Sequence, residues 1–289
     1  MRPFLAALLA MSLLSCTTTA PRRRVVAASM PPMAALVRLV AGDALPVVTL
    51  LPAGRSPHDF EPSASDVKRM QGAALFVHAG EDIDGWMLRS ARAVAGEDAP
   101  VLAMRAVAPD PARDPHLWLD LEAVRAFLPL LGERLAEADP AGAAAYRARA
   151  AAALDSLYAF DAWARTELEG LREPEDRDQL VELLHSAFEG FCRRYGLSVV
   201  GILMLHPEGE ALPRSLGDVA RELEASHALV VFAEPQHPQR LAESVAEEIG
   251  GVVGMVDPQG GPDLPGRDSY FGLLRWNTRS LVESLGGAR

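Results

Sequence analysis

From Ala141 to Leu171 the chain reads AGAAAYRARAAAALDSLYAFDAWARTELEGL, with no proline and no glycine between Gly142 and Gly170. Alanine, leucine, arginine and glutamate recur through it, and these residues cost least to place in a helix. At about 1.5 Å per residue, a helix of some 30 residues is about 45 Å long, well beyond the three or four turns of an average helix. One small domain offers no bed for such a rod. The expectation is a rigid helix joining a structured part before it to another after it.

Both flanking parts have the same rhythm. Before the long helix, the apolar runs VVAAS, LPVVTLL, ALFVHAG and APVLAMRA alternate with the helical patterns MAALVRLVAG, SASDVKRMQGA and WMLRSARAVAG. A further helix is expected over LDLEAVRAFLPLLGERLAEADP, stopped by Asp139 and Pro140. After the long helix, QLVELLH, LSVVGILM, HALVVFAEP and VVGMVD alternate with SAFEGFCRRYG, PRSLGDVARELEAS, PQRLAESVAEEIGG and the closing DSYFGLLRWNTRSLVESLGG. Near-continuous apolar strands between helices indicate parallel sheets covered on both faces. The expected fold class is α/β: two lobes, each with a mostly parallel sheet flanked by helices, joined by one long rigid α-helix. The boundaries follow as 25–138 for the first lobe, 139–172 for the linking helix and 173–289 for the second lobe. The lobes are alike in kind but show no sequence repeat.

The N-terminus has a different character. MRPFLAALLAMSLLSC carries one positive residue, Arg2, then an apolar run and a small-residue ending at Cys16. This is the pattern of a secretory signal peptide over residues 1–15, and the run is shorter than the roughly 20 apolar residues that span a bilayer. The ending LLSC resembles a bacterial lipobox, in which Cys16 is acylated; residues 16–24 then form a tether on a membrane-anchored lipoprotein outside the cytoplasm. Cys192 is the other of two cysteines, so an acylated Cys16 leaves it unable to form an internal disulfide. It reads as a small buried hydrophobe. The net charge of −11 argues against a nucleic-acid partner, which a basic face would mark. The chain is expected to be a monomer.

Seven histidines occur, at 58, 78, 116, 185, 206, 227 and 237. His58 in RSPHDFEP, His116 in DPHLWLD and His185 in LLHSAF each fall near the carboxyl end of a strand, where open α/β sheets place ligands. His58 and His116 belong to the first lobe and His185 to the second, so a site built from all three lies in the cleft between lobes. Three imidazoles suit a borderline metal such as zinc. Asp257, directly after VVGMV, can supply a carboxylate. Widely separated histidines form no motif by themselves, and each is equally well read as a loop or capping residue. Asp59 and Glu61, beside His58, can support a ligand or simply cap a helix, and Glu234 at a strand end can hydrogen-bond a ligand histidine. His78 reads as a polar strand end, His227 as a strand start and His237 as a helix-start residue. His206 lies in a Pro/Gly loop able to overhang the cleft.

Longer stretches add a resemblance. LLPAGRSPHDFEPSASDVKRMQGAALFVHAG, DPHLWLD, HSAFEGFCRRYGL, VFAEPQHPQRLAESVAEEIGG and DSYFGLLRWNTRSLVESL resemble, in the same order and over nearly the whole mature chain, the zinc/manganese solute-binding proteins of bacterial ABC transporters. The resemblance implies two α/β lobes on a long helix, no enzymatic activity, and a divalent cation as bound cargo, delivered to a membrane permease. It implies His58, His116, His185 and Asp257 as the metal ligands. A histidine at the third position resembles the zinc importers, whereas manganese importers tend to carry glutamate there; Zn²⁺ is the expected cargo and Mn²⁺ or Fe²⁺ the alternative. The sequence departs from many zinc-type members in having no histidine between His78 and His116, where they carry a His-rich acidic loop. Two other classes compete. A zinc metallohydrolase needs an open metal position and a general base, and no HExxH pattern is present. An adhesin-type surface lipoprotein needs no metal at all.

Overall fold

The computed structural model describes residues 24–108, 114–171, 180–204 and 230–287. The signal peptide, Cys16, His206, His227 and the helix expected over 213–226 lie outside the described residues. Four strands precede the long helix: β1 (Val25–Ala28), β2 (Val47–Thr49), β3 (Ala73–His78) and β4 (Val101–Ala103). They form a sheet in the order β2-β1-β3-β4, and every pairing is parallel. Helices α1 (Pro31–Ala41), α2 (Ala64–Arg69), α3 (Glu81–Ala95) and α4 (Leu121–Ala138) connect and follow them.

The second sheet contains β5 (Leu180–His185), β6 (Ser198–Met204), β7 (Val230–Ala233) and β8 (Val252–Met255). Its order is β6-β5-β7-β8, again all parallel. The two sheets therefore share one winding: the first strand pairs with the second on one side and the third on the other. In such a sheet the connections leave in opposite directions from the first and third strands, and the carboxyl edge between them opens a crevice. That crevice lies at β1/β3 in the first sheet and at β5/β7 in the second.

The long helix, α5 (Ala143–Glu169), is one unbroken rod of 27 residues. Its buried residues, Tyr146, Ala150, Ala153, Leu157, Phe160, Ala164 and Leu168, recur every three or four positions, which draws one apolar stripe along the helix. Small residues let α4 come close: a Cβ on Gly132 would stand 3.0 Å from that of Ala150. Arg149 donates to the carbonyls of Val40 (2.7 Å) and Ala41 (2.7 Å), satisfying the open C-terminal end of α1. Two more helices, α6 (Glu189–Arg194) and α7 (Arg240–Glu248), flank the second sheet, and α8 (Tyr270–Gly287) ends the described chain. Helix α8 packs on α5 and on β8 and also touches α1. The rod is thus lined by helices from both sides, and a single buried cluster runs from Val26 and Phe76 through Phe127 and Phe160 to Phe191, Phe232 and Leu274.

Strand β7 shows why its sequence is apolar throughout. Val230 and Phe232 join that large cluster, while Val231 and Ala233 join a smaller one with Ala242, Val245 and Ala246 of α7. Alternate side chains face opposite layers, so both parities must be hydrophobic. No described helix is long and apolar enough to cross a membrane.

Candidate metal site

The loop after β2 carries His58. Its approach is fixed by Trp86 of α3, whose indole N–H donates to the Pro57 carbonyl at 2.9 Å. Phe60 packs edge-on against the same indole, with centroids 4.9 Å apart. The loop then ends in a reciprocal cap: Ser63 Oγ accepts from the Asp66 N–H at 3.3 Å, and the Ser63 N–H donates to Asp66 Oδ2 at 3.0 Å. Of the two serines able to cap α2, Ser63 does so, through a capping box. Pro57 is buried, while Asp59 and Glu61 stay exposed and do not line the cleft beside His58.

His116 precedes a 3₁₀ turn, Leu117–Leu119, that leads into α4. It is buried, and its Nδ1 lies 2.8 Å from Asp114 Oδ1. The same oxygen accepts the His116 backbone N–H at 2.7 Å. A carboxylate only accepts, so Nδ1 is the donor, which in the neutral ring leaves the lone pair on Nε2. The His58 and His116 rings stand 5.5 Å apart, centroid to centroid, and the Nε2 atom of each is buried.

From the second sheet, Glu234 follows β7 directly and is buried. Its Oε2 lies 3.7 Å from His237 Nε2. Register places His185 beside it: Leu183 pairs with Phe232, and His185 and Glu234 each come two residues later, at the crevice between β5 and β7. His185 closes β5 opposite Met204 of β6; its backbone position is what the structure describes. One small cleft is lined by His58 and His116 from the first sheet's loops and by Glu234, Gln236, His237 and Gln259 from the second. His237, expected only as a helix-start residue, thus lines the cleft, ahead of α7. Among the described residues no three His, Cys, Asp or Glu side chains form a metal cage by themselves.

Asp257 follows β8 and is completely buried. Its Oδ1 accepts from Gln236 Nε2 (2.8 Å), the Gln259 N–H (2.9 Å) and the Gly260 N–H (3.0 Å). Its Oδ2 receives Arg267 Nη1 at 2.7 Å. Asn277 of α8 clasps the Asp257 backbone, accepting from its N–H (2.7 Å) and donating to its carbonyl (2.8 Å). The carboxylate is therefore held on a defined spot, and the two residues after it reach the cleft.

The halves are stitched beside the site. Trp118 Nε1 donates to the Pro258 carbonyl at 2.7 Å, and Tyr270 Oη donates to the Trp118 carbonyl at 2.7 Å. Burial raises the Tyr270 phenol well above its ordinary pKa, so it remains a donor. His78 stays out of the cleft: it pairs with Asp84 at 3.1 Å, and that carboxylate also accepts the N–H groups of Ala79 (2.9 Å) and Gly80 (2.9 Å). It is a structural strand end. Sequence reading passed over Asp114, Gln236, Gln259 and Arg267. Asp114, two residues before His116 and in the same turn, was open to discovery by its spacing; nothing local marks Arg267, ten residues beyond Asp257.

Comparison with known proteins covers almost the whole chain. The family model described as "Zinc-uptake complex component A periplasmic" matches residues 26–284. A manganese-binding lipoprotein of Halalkalibacterium halodurans is 26% identical over 255 residues, 85% of this chain and 83% of its own. A high-affinity zinc uptake system protein of Paracoccus denitrificans is 26% identical, covering 98% of this chain and 97% of its own. An iron ABC transporter substrate-binding lipoprotein of Streptococcus pyogenes is 23% identical over 94% of each chain. Among solved structures, the periplasmic zinc-binding protein of Treponema pallidum superposes with a TM-score of 0.82 at 23% identity, over 93% of this chain and 100% of its own. The Mn²⁺ complex of a solute-binding protein from Pseudomonas aeruginosa superposes with a TM-score of 0.80 at 26% identity, over 93% of this chain and 100% of its own.

Proposed function

The chain belongs to the family of periplasmic component A of zinc-uptake complexes, non-enzymatic, extracytoplasmic metal-binding receptors of ABC importers, and from that premise we propose that it carries one Zn²⁺ ion in the cleft between its sheets. The ligands in this reading are His58, His116, His185 and Asp257, the last through Oδ2, since Oδ1 already accepts three hydrogen bonds. The observation that carries the reading is the pair of imidazoles 5.5 Å apart, each with a buried Nε2 and one of them oriented by Asp114, in a cleft beside the carboxyl edge where β5 ends in His185. Three imidazoles and one carboxylate make a four-ligand set of the nitrogen and oxygen donors that zinc accepts in tetrahedral geometry, and a set rich in nitrogen favours zinc over manganese.

The relatives named for manganese and iron support the second reading, a Mn²⁺ or Fe²⁺ receptor of the same design. The cargo passes to a membrane permease, and the receptor works as a monomer tethered through acylated Cys16. Elemental analysis of the protein purified from its native envelope, without added metal, tests the choice. Zinc at about one ion per chain supports it; manganese or iron at that ratio replaces it, and no bound metal after exposure to all three defeats the receptor reading. Saturating cargo should stabilise the fold by about 2.7 kcal/mol at 100 Kd and about 4.1 kcal/mol at 1,000 Kd, and His116→Ala should remove most of that gain.

A further inference from the structure

Resting on the reading of this cleft as a cation site, we propose that Gln236 and Gln259 add two amide oxygens to the cation's shell and thereby set how well the receptor accepts six-coordinate cations beside zinc. Both residues line the cleft with His58, His116 and Glu234. The Oε1 atom of each is buried, and among the described residues neither has a hydrogen-bond partner. Buried carbonyls are almost always satisfied, and leaving one without a donor is costly. Two in one small cleft mark a place for a group that the described residues do not supply.

Their orientation is built in. Gln236 Nε2 donates to Asp257 Oδ1 at 2.8 Å. A carboxylate only accepts, so the amide cannot flip, and its oxygen must point away from Asp257. The main chain of Gln259 hangs from the same oxygen at 2.9 Å. Its side chain is 3% exposed, and its Nε2 rests against Met30 Sδ at 3.9 Å, across the junction of the two halves. Asp257 thus acts as the peg for both glutamines, whichever of its oxygens also meets the cargo.

The consequence lies in ligand chemistry. Zinc is content with four ligands, chiefly nitrogen and sulfur, and the three imidazoles with Asp257 already meet that need. Manganese and similar ions take more ligands and favour oxygen. Amide carbonyls are hard, neutral oxygens: they complete a six-fold shell without adding charge. Removing them takes away what a six-coordinate ion uses and a four-coordinate ion does not.

The test compares two ions on one protein. Gln236→Leu and Gln259→Leu are made in the full chain, purified metal-free, and titrated with Zn²⁺ and with Mn²⁺. Each variant is expected to weaken Mn²⁺ by tenfold or more and Zn²⁺ by less than threefold. The water-proton relaxivity of bound Mn²⁺ should rise, because water takes the place of each lost carbonyl. Equal losses for the two ions, or an unchanged Mn²⁺ affinity with unchanged relaxivity, overturn the proposal. Where a leucine variant lowers the metal-free melting temperature, Gln236→Met and Gln259→Met keep the chain length without the carbonyl and decide the matter. A wild-type protein that binds neither ion refutes the receptor reading itself, a separate outcome.

Discussion

Replacing Arg267 with methionine removes the cation paired with a fully buried carboxylate. Asp257 is 0% exposed, and its Oδ2 sits 2.7 Å from Arg267 Nη1. Breaking a buried ion pair by deleting one partner costs about 3–5 kcal/mol, because the other charge is left uncompensated. Three donors remain on Oδ1 and the Arg267 side chain is 19% exposed, so the lower end, about 3 kcal/mol, is expected. The guanidinium also lies 4.5 Å from the Trp276 ring centroid, a contact worth about 0.5–1 kcal/mol; methionine keeps the apolar part of the packing. In a chain this large each kcal/mol moves the melting temperature by about 2–4 °C. The metal-free variant should therefore melt about 6–12 °C below the wild type in a thermal scan. Zinc changes the comparison. If Asp257 Oδ2 is a ligand, the cation supplies the charge that Arg267 supplied, and it no longer competes with a guanidinium. Zinc should then bind the variant roughly tenfold more tightly, an added stabilisation of about 1.4 kcal/mol, and about half of the lost stability should return. A metal-free melting temperature unchanged from wild type would refute the ion-pair argument. An equal zinc-induced shift in both proteins would show that cargo and Arg267 do not share the carboxylate.

Three further outcomes follow from the geometry. Asp114→Asn removes the charge that orients His116 at 2.8 Å and should weaken zinc binding by about 10–100-fold, read by competition with a chromophoric chelator; an unchanged affinity would mean that His116 needs no holder. Cys192 is completely buried, and burial pushes its thiol up to about 12, so it should react with a disulfide reagent at pH 8 only as fast as the chain unfolds; rapid labelling that is absent from Cys192→Ala would contradict this. Burial alone would raise the pKa of Asp161, but hydrogen bonds from Arg194 and Tyr195 outweigh it and hold the carboxyl below its ordinary value. A depressed folded pKa gives stability that is full above the unfolded value, about 3.9, and is lost as pH falls through the folded one. Asp161→Asn should therefore lower the melting temperature at pH 7, and the gap should close as pH falls below the unfolded value of about 3.9; a gap constant with pH refutes the pairing.

The architecture was legible because it rests on periodicity. Apolar runs such as ALFVHAG became strands within a residue or two, and the glycine-free stretch between Gly142 and Gly170 became the 27-residue α5. Short-range rules also located the end of β5, where His185 sits, whereas His116 lies in the turn that leads into α4 rather than at a strand end. The interior of the site was less legible. That Asp257 pairs with Arg267, and that Gln236 and Gln259 hang from it, depends on how the loop after β8 folds back across α8. Gly260 shows the constraint: its φ is +60°, and a Cβ there would meet the Arg267 carbonyl at 2.5 Å. Such a contact has no periodicity to betray it. For Asp59 and Glu61 the sequence left ligand support and solvated charge equally open; they are near His58 in sequence and exposed. Proximity along the chain is a poor guide in a loop whose direction is set by a distant indole, Trp86.

The two halves meet through polar groups, some fully buried and some half-buried. Trp118 of the first half is tied to Pro258 and Tyr270 of the second by two buried hydrogen bonds of 2.7 Å. Arg194 of α6 bonds Asp161 on α5 (2.9 and 2.8 Å) and Glu122 on α4 (3.2 Å). Breaking either of the two Trp118 bonds leaves a polar group unsatisfied in the interior, which costs more than the bond contributes when made. The α5 rod adds an apolar stripe that both sides share. Sheets coupled this way resist separation, whereas of the proposed ligands His58, His116 and Asp257 sit beyond the strand ends and His185 closes β5. The same sequence thus fixes a stiff frame through its periodic segments and leaves the adjustable part to the aperiodic ones. In the proposed site a cation at that edge would be gripped by side chains whose supports are local, such as Asp114 on His116 and Arg267 on Asp257.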